Sequence, residues 1–391
     1  MTYTLPEPPQ TQATGDVKVA SPHKCHAVKR DVRQMIEAIK YPAKDSFLLS
    51  AHRGYRWDGV PENSRSSIRR AVAHGMICVE IDIRLTSDKV PVLFHDPSVG
   101  RVTNIAEHQG REASDVYSPF TGKGYNPHII DLPWKGLVEN LKLKDEHGEI
   151  CKEGVLDFAS LLDLIETEKL EVVLFMDIKE KAAVPVLYEL LKNRTNRSGV
   201  PALEWCVWKI FVHFYGMPEE LESEAWWQEA IQIGKPVYIP VYEPWPARQL
   251  ADPLASTKAW SHKPYVLALE IGMRAEGGFM HDLLDYATSP ECPVKSIGFF
   301  AALGDLWPWD GKEPKFDIGE FEVPWNLEKQ KSHYLFRFDA CPKTHDELLI
   351  EGDSPDGHDY RYDLARWKEL GFTWTITDRG VELRDKGFIT E

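Results

Sequence analysis

From residue 47 onward, short β-branched, aliphatic and aromatic runs alternate with stretches of helical periodicity. This alternation limits the possible folds more than any other feature, because strand–helix–strand repeats build a parallel sheet whose faces are covered by helices. Runs that read as strands are 47–52, 77–83, 91–95, 171–178, 208–214, 236–241, 265–271 and 372–377, with 296–301 and 333–338 as competitors. Helical patterns fall at 32–39, 64–74, 157–167, 183–193, 219–233, 280–287 and 360–370. Eight such strands predict an α/β protein, a (β/α)8 barrel with long inserted loops after strands 3 and 7. The insertions are read at 96–156 and 302–332, both far longer than ordinary βα loops and suited to roofing a site. Residues 1–27 read as a flexible arm, and 28–391 as a single barrel domain.

Composition narrows the partners. A hydrophobic fraction of 43% supports a core, and a net charge of −15 argues against nucleic acid, whose binding needs basic surface. A small anionic ester stays admissible, since a metal and a few local cations can reverse the field in one pocket. The six cysteines, Cys25, Cys78, Cys151, Cys206, Cys292 and Cys341, show no CxxC spacing and read as isolated thiols. No signal peptide and no membrane span are visible, so the expected location is cytoplasmic, and the sequons at Asn193 and Asn196 read as chance matches. Oligomeric state is not legible.

The reactive residues gather at predicted strand ends between 48 and 96. In CVEIDIRL, alternation puts Val79, Ile81 and Ile83 on one face and Cys78, Glu80 and Asp82 on the other. Strand 171–178 repeats the device, with Val173, Phe175, Asp177 and Lys179 sharing a face. Two carboxylates ~6–7 Å apart repel by roughly 2–3 kcal/mol at an effective dielectric near 20, and a third deepens the repulsion. Either some of these acids are protonated, or a hard divalent cation, Mg2+ or Ca2+, sits among the oxygens; a rim salt-bridged by Arg84 and Lys179 is the alternative to a site. His52 ends FLLSAH and His95 ends VPVLFH, an arrangement that suits an acid/base pair. Arg53 and Lys179 supply cations for phosphoryl oxygens, and Gly54 lets the backbone turn closely.

The segments AHRG, PEN, EID, HD and DIK, in that order, resemble the glycerophosphodiester phosphodiesterase family, as does the tail LGFTWTITDR at 370–379. The likeness is dense over 47–105, thinner over 155–182 and 365–380, and slight between 183 and 360. It implies a TIM-type barrel that hydrolyses a small glycerophosphodiester with one divalent metal. By that resemblance His52 and His95 form the acid/base pair, Glu80, Asp82 and Asp177 hold the metal, Arg53 and Lys179 bind phosphate, and Glu62 supports the site. One departure stands out: the family's third ligand is usually Glu, whereas this chain has Asp177 followed two on by Lys179. That pattern is closer to the related sphingomyelinase D-like phospholipases, which release cyclic phosphate. A third possibility is a barrel reshaped for a bulkier phosphoester.

Other positions carry weaker signals. His213 and Glu270 lie near strand ends and read as core or rim residues. Tyr242, Trp245, Trp307, Trp309 and Trp374 either wall a leaving-group pocket or simply fill the barrel top.

Overall fold

The computed structural model describes residues 31–118, 122–301, 349–361 and 363–385, together with four two-residue strands between 302 and 348. Its strands are β1 Leu48–Ala51, β2 Cys78–Leu85, β3 Pro91–Leu93, β4 Lys142–Lys144, β5 Ile150–Gly154, β6 Val173–Ile178, β7 Cys206–Phe211 and β8 Tyr238–Tyr242. They continue as β9 Leu269–Ile271, β10 Ile297–Phe300, β11 Phe316–Asp317, β12 Glu322–Val323, β13 Tyr334–Leu335, β14 Lys343–Thr344 and β15 Trp374–Thr377.

Eight of these run parallel in the order β1, β2, β6, β7, β8, β9, β10, β15, and β1 pairs with both β15 and β2, closing a (β/α)8 barrel. Start signals place the intervening helices. Ser64 caps Arg65–Ala73 in a reciprocal box with Ser67, Asp157 caps Phe158–Glu168, and Asp252 caps Pro253–Ser261 with proline in the first turn.

Two of the strands read as staves or as their competitors differ from the sequence reading. Strand β3 pairs antiparallel with β2, Ile83 opposite Leu93, and is not a stave of the barrel. Only residues 86–90 separate the two strands, and a parallel crossover needs about a dozen residues or more. The place left by β3 is taken by β10 at 297–300, so the eight staves stand with one exchanged. The first insertion therefore leaves from the β2–β3 hairpin, and the second follows the seventh stave. The 96–156 insertion brings its own small core, in which Val99, Ile105, Ile129 and Val138 pack on Val92 and Phe94. The arm at 1–27 and most of 302–332 lie outside the described residues.

The predicted face assignment of β2 and β6 matches the packing. Val79, Ile81, Ile83, Leu174 and Met176 join the core beneath the helices. Val173, Phe175, Val207, Ile239, Val241, Leu267, Trp374 and Ile376 fill the barrel interior, which Met35, Ile36 and Ile39 of the Val32–Lys40 helix plug from below. Higher in the same interior, at the carboxyl ends of the staves, the side chains change from apolar to charged. That is the end at which barrel active sites form.

Candidate active site

Register brings the charged groups together. Asp82 lies opposite Asp177 across β2–β6, and Asp177 opposite Lys209 across β6–β7. Parallel neighbours in register point to the same side, so three strands deliver charge to one layer. Oxygens of Glu80, Asp82 and Asp177 lie within 4.8 Å of one another. Lys179 Nζ sits 2.8 Å from Asp82 and 3.1 Å from Asp177. Arg84 does not join them: its guanidinium donates to the His95 carbonyl and to Glu180.

The cluster is buried and its carboxyls diverge. Burial, followed by the Asp82 charge, raises Glu80 well above the usual carboxylate range. Burial opposes ionisation of Asp82 too, but Lys179, His95 and Arg53 outweigh it and hold that group well below the range. Asp177 Oδ1 is buried without a hydrogen-bond partner. An orphaned anionic oxygen beside two further carboxylates is a set that a hard, oxygen-seeking cation satisfies, so the residues fit Mg2+ or Ca2+.

Both histidines reach the same mouth, by different routes. His52 follows β1 directly, and its Nδ1 is 2.8 Å from Asp378 Oδ1 just beyond β15. Its ring lies 4.7 Å from Phe300 at the end of β10. Strand β2 overshoots the rim, turns at 86–90 and returns as β3, bringing His95 down beside Asp82; the Phe94 N–H donates to the Asp82 carbonyl at 3.0 Å. His95 Nδ1 is 2.9 Å from Asp96 Oδ1. Burial, then the nearby Arg53 charge, lowers the His95 pKa against the opposing pull of Asp82 and Asp96.

The turn after His52 is tightly determined. Arg53 and Gly54 both have positive φ, 55° and 81°. A Cβ at Gly54 would meet Ser67 atoms at 2.5–2.7 Å, which leaves room for glycine alone. Arg53 tolerates the left-handed region because its N–H donates to Glu80 Oε2 at 3.0 Å and its guanidinium is engaged by Glu62 and Asp82. Such over-determined backbone is common at functional sites. Glu62 lies on the adjoining PEN turn. Burial opposes its charge, but Arg101, Arg53 and Arg56 together lower its pKa to about 2.

Sequence reasoning therefore placed His52, His95, Glu80, Asp82, Asp177, Lys179, Arg53 and Glu62 in one neighbourhood, and the structure brings them together. It missed Lys209 as a member of the site. That ammonium is buried inside the barrel, 2.9 Å from Glu270 and 3.8 Å from Asp177. A lone lysine amid CVWKIF was the available signal, since a charge on an inward position demands a partner. Glu270, read as core or rim, proves to be that partner. Arg56, Asp96, Arg101 and Asp378 also belong to the site, and only the closed fold reveals what they touch. Among the described residues, the three aromatics do not gather into one wall. Tyr242 points out toward Ser256, Trp374 packs on Phe175 inside the barrel, and Trp245 stands at the rim against His213. Trp307 and Trp309 lie outside the described residues.

Comparison with known proteins gives matches over part of the chain and a likeness of fold. Residues 52–214 match the model of the glycerophosphoryl diester phosphodiesterase family. The uncharacterised protein y4eD of Sinorhizobium fredii is 29% identical over 151 residues, covering 37% of this chain and 33% of that protein. Glycerophosphodiester phosphodiesterase 1 of Rattus norvegicus is 43% identical over 72 residues, covering 18% of this chain and 21% of its own length. The matched stretches thus span about a third and a fifth of these relatives. A solved glycerophosphoryl diester phosphodiesterase from Parabacteroides distasonis shares the fold at 16% identity, with a TM-score of 0.52 over 92% of this chain and 93% of that one.

Proposed function

From the match of residues 52–214 to the glycerophosphoryl diester phosphodiesterase family model, we propose that this protein is a metal-dependent phosphodiesterase that cleaves a small glycerophosphodiester to a phosphomonoester and an alcohol. The observation that carries the reading is the meeting, at one barrel mouth, of three carboxylates within 4.8 Å and two histidines each held by an aspartate.

Glu80, Asp82 and Asp177 would hold one Mg2+ or Ca2+. When bound, that ion supplies a positive charge to polarise the phosphoryl group. The remaining chemistry belongs to the chain. Each histidine is hydrogen-bonded through Nδ1 to a carboxylate, which orients the ring and leaves Nε2 to exchange protons with substrate. One imidazole takes the proton of the attacking oxygen and the other gives a proton to the leaving alkoxide. Lys179, with 13% of its side chain exposed against 2% for Arg53, is the cation better placed to meet a phosphoryl oxygen. Arg53 backs the same site from beneath, through its field.

The test is phosphorus NMR of products from glycerophosphocholine, glycerophosphoglycerol and lysophosphatidylcholine, with Mg2+ or Ca2+ and with chelator. A phosphomonoester should accumulate, and turnover should fall by at least about 100-fold in Glu80→Gln and His52→Ala. Variants within a few-fold of the parent would sink the mechanism. The Asp177–Lys179 pattern motivates a second reading, in which a neighbouring substrate hydroxyl attacks. A cyclic phosphate in place of the monoester would establish it.

A further inference from the structure

The two histidines follow different strands, His52 after β1 and His95 beyond β3, yet one chain of charged groups joins them. His52 is held by Asp378, and Asp378 Oδ1 accepts from Arg56 Nε and Nη2 at 3.0 and 2.9 Å. Arg56 Nη1 then donates to Glu62 Oε2 at 3.2 Å. From the other side, His95 is held by Asp96, whose oxygens accept from Arg101 Nε and Nη2 at 2.6 and 3.0 Å. Arg101 Nη2 and Nη1 donate to Glu62 Oε1 and Oε2 at 2.8 and 3.1 Å. Each half repeats the order histidine, aspartate, arginine, and both arginines end on the same carboxylate.

We propose that Glu62 is a positioning residue that couples the two Asp–His pairs, so that the orientation of one histidine depends on that of the other. The physical reason is the rigidity of guanidinium. Arg56 and Arg101 each use one edge of a planar fork for the aspartate and another for Glu62, so neither aspartate can shift without tilting its arginine against the shared carboxylate. The hub itself is pinned. Glu62 is 7% exposed and also accepts from Arg53 at 3.2 and 3.3 Å. Its neighbour Asn63 exchanges hydrogen bonds with Asp82 through both ends of its amide. The PEN turn therefore bridges the histidine pair to the carboxylate cluster. A merely structural Glu62 would neutralise three arginines without transmitting anything between the rings.

The catalytic meaning of this coupling rests on the proposed phosphodiesterase activity, but its readout does not. Long-range proton–nitrogen NMR of the imidazole rings, assigned with His52→Gln and His95→Gln, reports both rings without turnover. Arg101→Met should shift the His52 ring resonances as well as those of its own His95. Arg56→Met should likewise shift His95. In a Glu62→Gln background these cross-effects should vanish, and Glu62→Gln alone should lower kcat about 10- to 100-fold with KM within about twofold. Arginine variants that move only their own histidine would overturn the coupling, as would cross-effects that persist without Glu62. Should Glu62→Gln fail to fold, Arg56→Lys and Arg101→Lys keep the charge, break the fork and decide the matter by the same cross-effects. Failure of the functional reading shows separately, as absence of any phosphorus product from the parent protein.

Discussion

Glu62 ties the pH dependence of stability to the site's geometry. Its carboxyl falls from an ordinary 4.5 to about 2, with burial opposing and Arg101, Arg53 and Arg56 driving the change. A carboxyl depressed on folding contributes stability that is present above the unfolded pKa and lost as pH falls through the folded one. The shift corresponds to about 3 kcal/mol, lost between roughly pH 4.5 and 2. Asp96 acts in the same direction, since Arg101 and His95 hold it far below the usual range against burial. His95 adds to the loss from the other side, because an imidazole whose pKa is lowered on folding binds a proton less readily than the unfolded one, which protonates below about 6.5. Urea midpoints should therefore fall steeply on acidification, and Glu62→Gln should flatten the slope below pH 4.5. Equal slopes in parent and variant would contradict the assignment. At this scale the sequence was most legible where a polar residue interrupted an apolar run: His52, Glu80, Asp82, His95 and Asp177. It was least legible for Arg56 and Asp378, whose partners lie 322 and 326 positions away.

Among the strands, close packing between staves sets how precisely the last one delivers Asp378. Gly298 in β10 pairs with Trp374 in β15, and a Cβ at Gly298 would lie 2.0–2.2 Å from the indole carbons. The indole in turn meets Phe175 edge-on at 5.2 Å inside the barrel. Gly298→Ala should therefore displace Trp374 and cost about 1–3 kcal/mol through overpacking. A lower urea midpoint together with a shifted His52 ring resonance is the expected result, and an unchanged midpoint would show that β10 gives way freely. The same scale explains the exchanged stave. A short apolar run marks residues 91–95 as a strand, but it carries no information about direction. Direction follows from connection length, and residues 86–90 permit only a hairpin.

For the whole molecule, closure of the barrel is what completes the site. β15 pairs with β1, and the residue that follows it holds the histidine that follows β1. The three carboxylates repel in the folded state, so a bound cation should stabilise the fold by linkage, by about 2.7 kcal/mol at a hundredfold excess over Kd. Mg2+ or Ca2+ should thus raise the melting temperature by a few degrees in the parent and leave Glu80→Gln unmoved. No shift in the parent would remove the metal from the proposal. The amino-acid sequence by itself determined the local facts: where most of the barrel strands run, which face of β2 and β6 carries charge, and which turn requires glycine. Those follow from periodicity and backbone sterics, which act over a few residues. Only the tertiary structure decided that β10 completes the barrel, that Lys209 and Glu270 pair inside it, and that two arginines converge on Glu62. Those outcomes depend on barrel closure and register, which bring together side chains tens to hundreds of positions apart, and no short-range pattern records them.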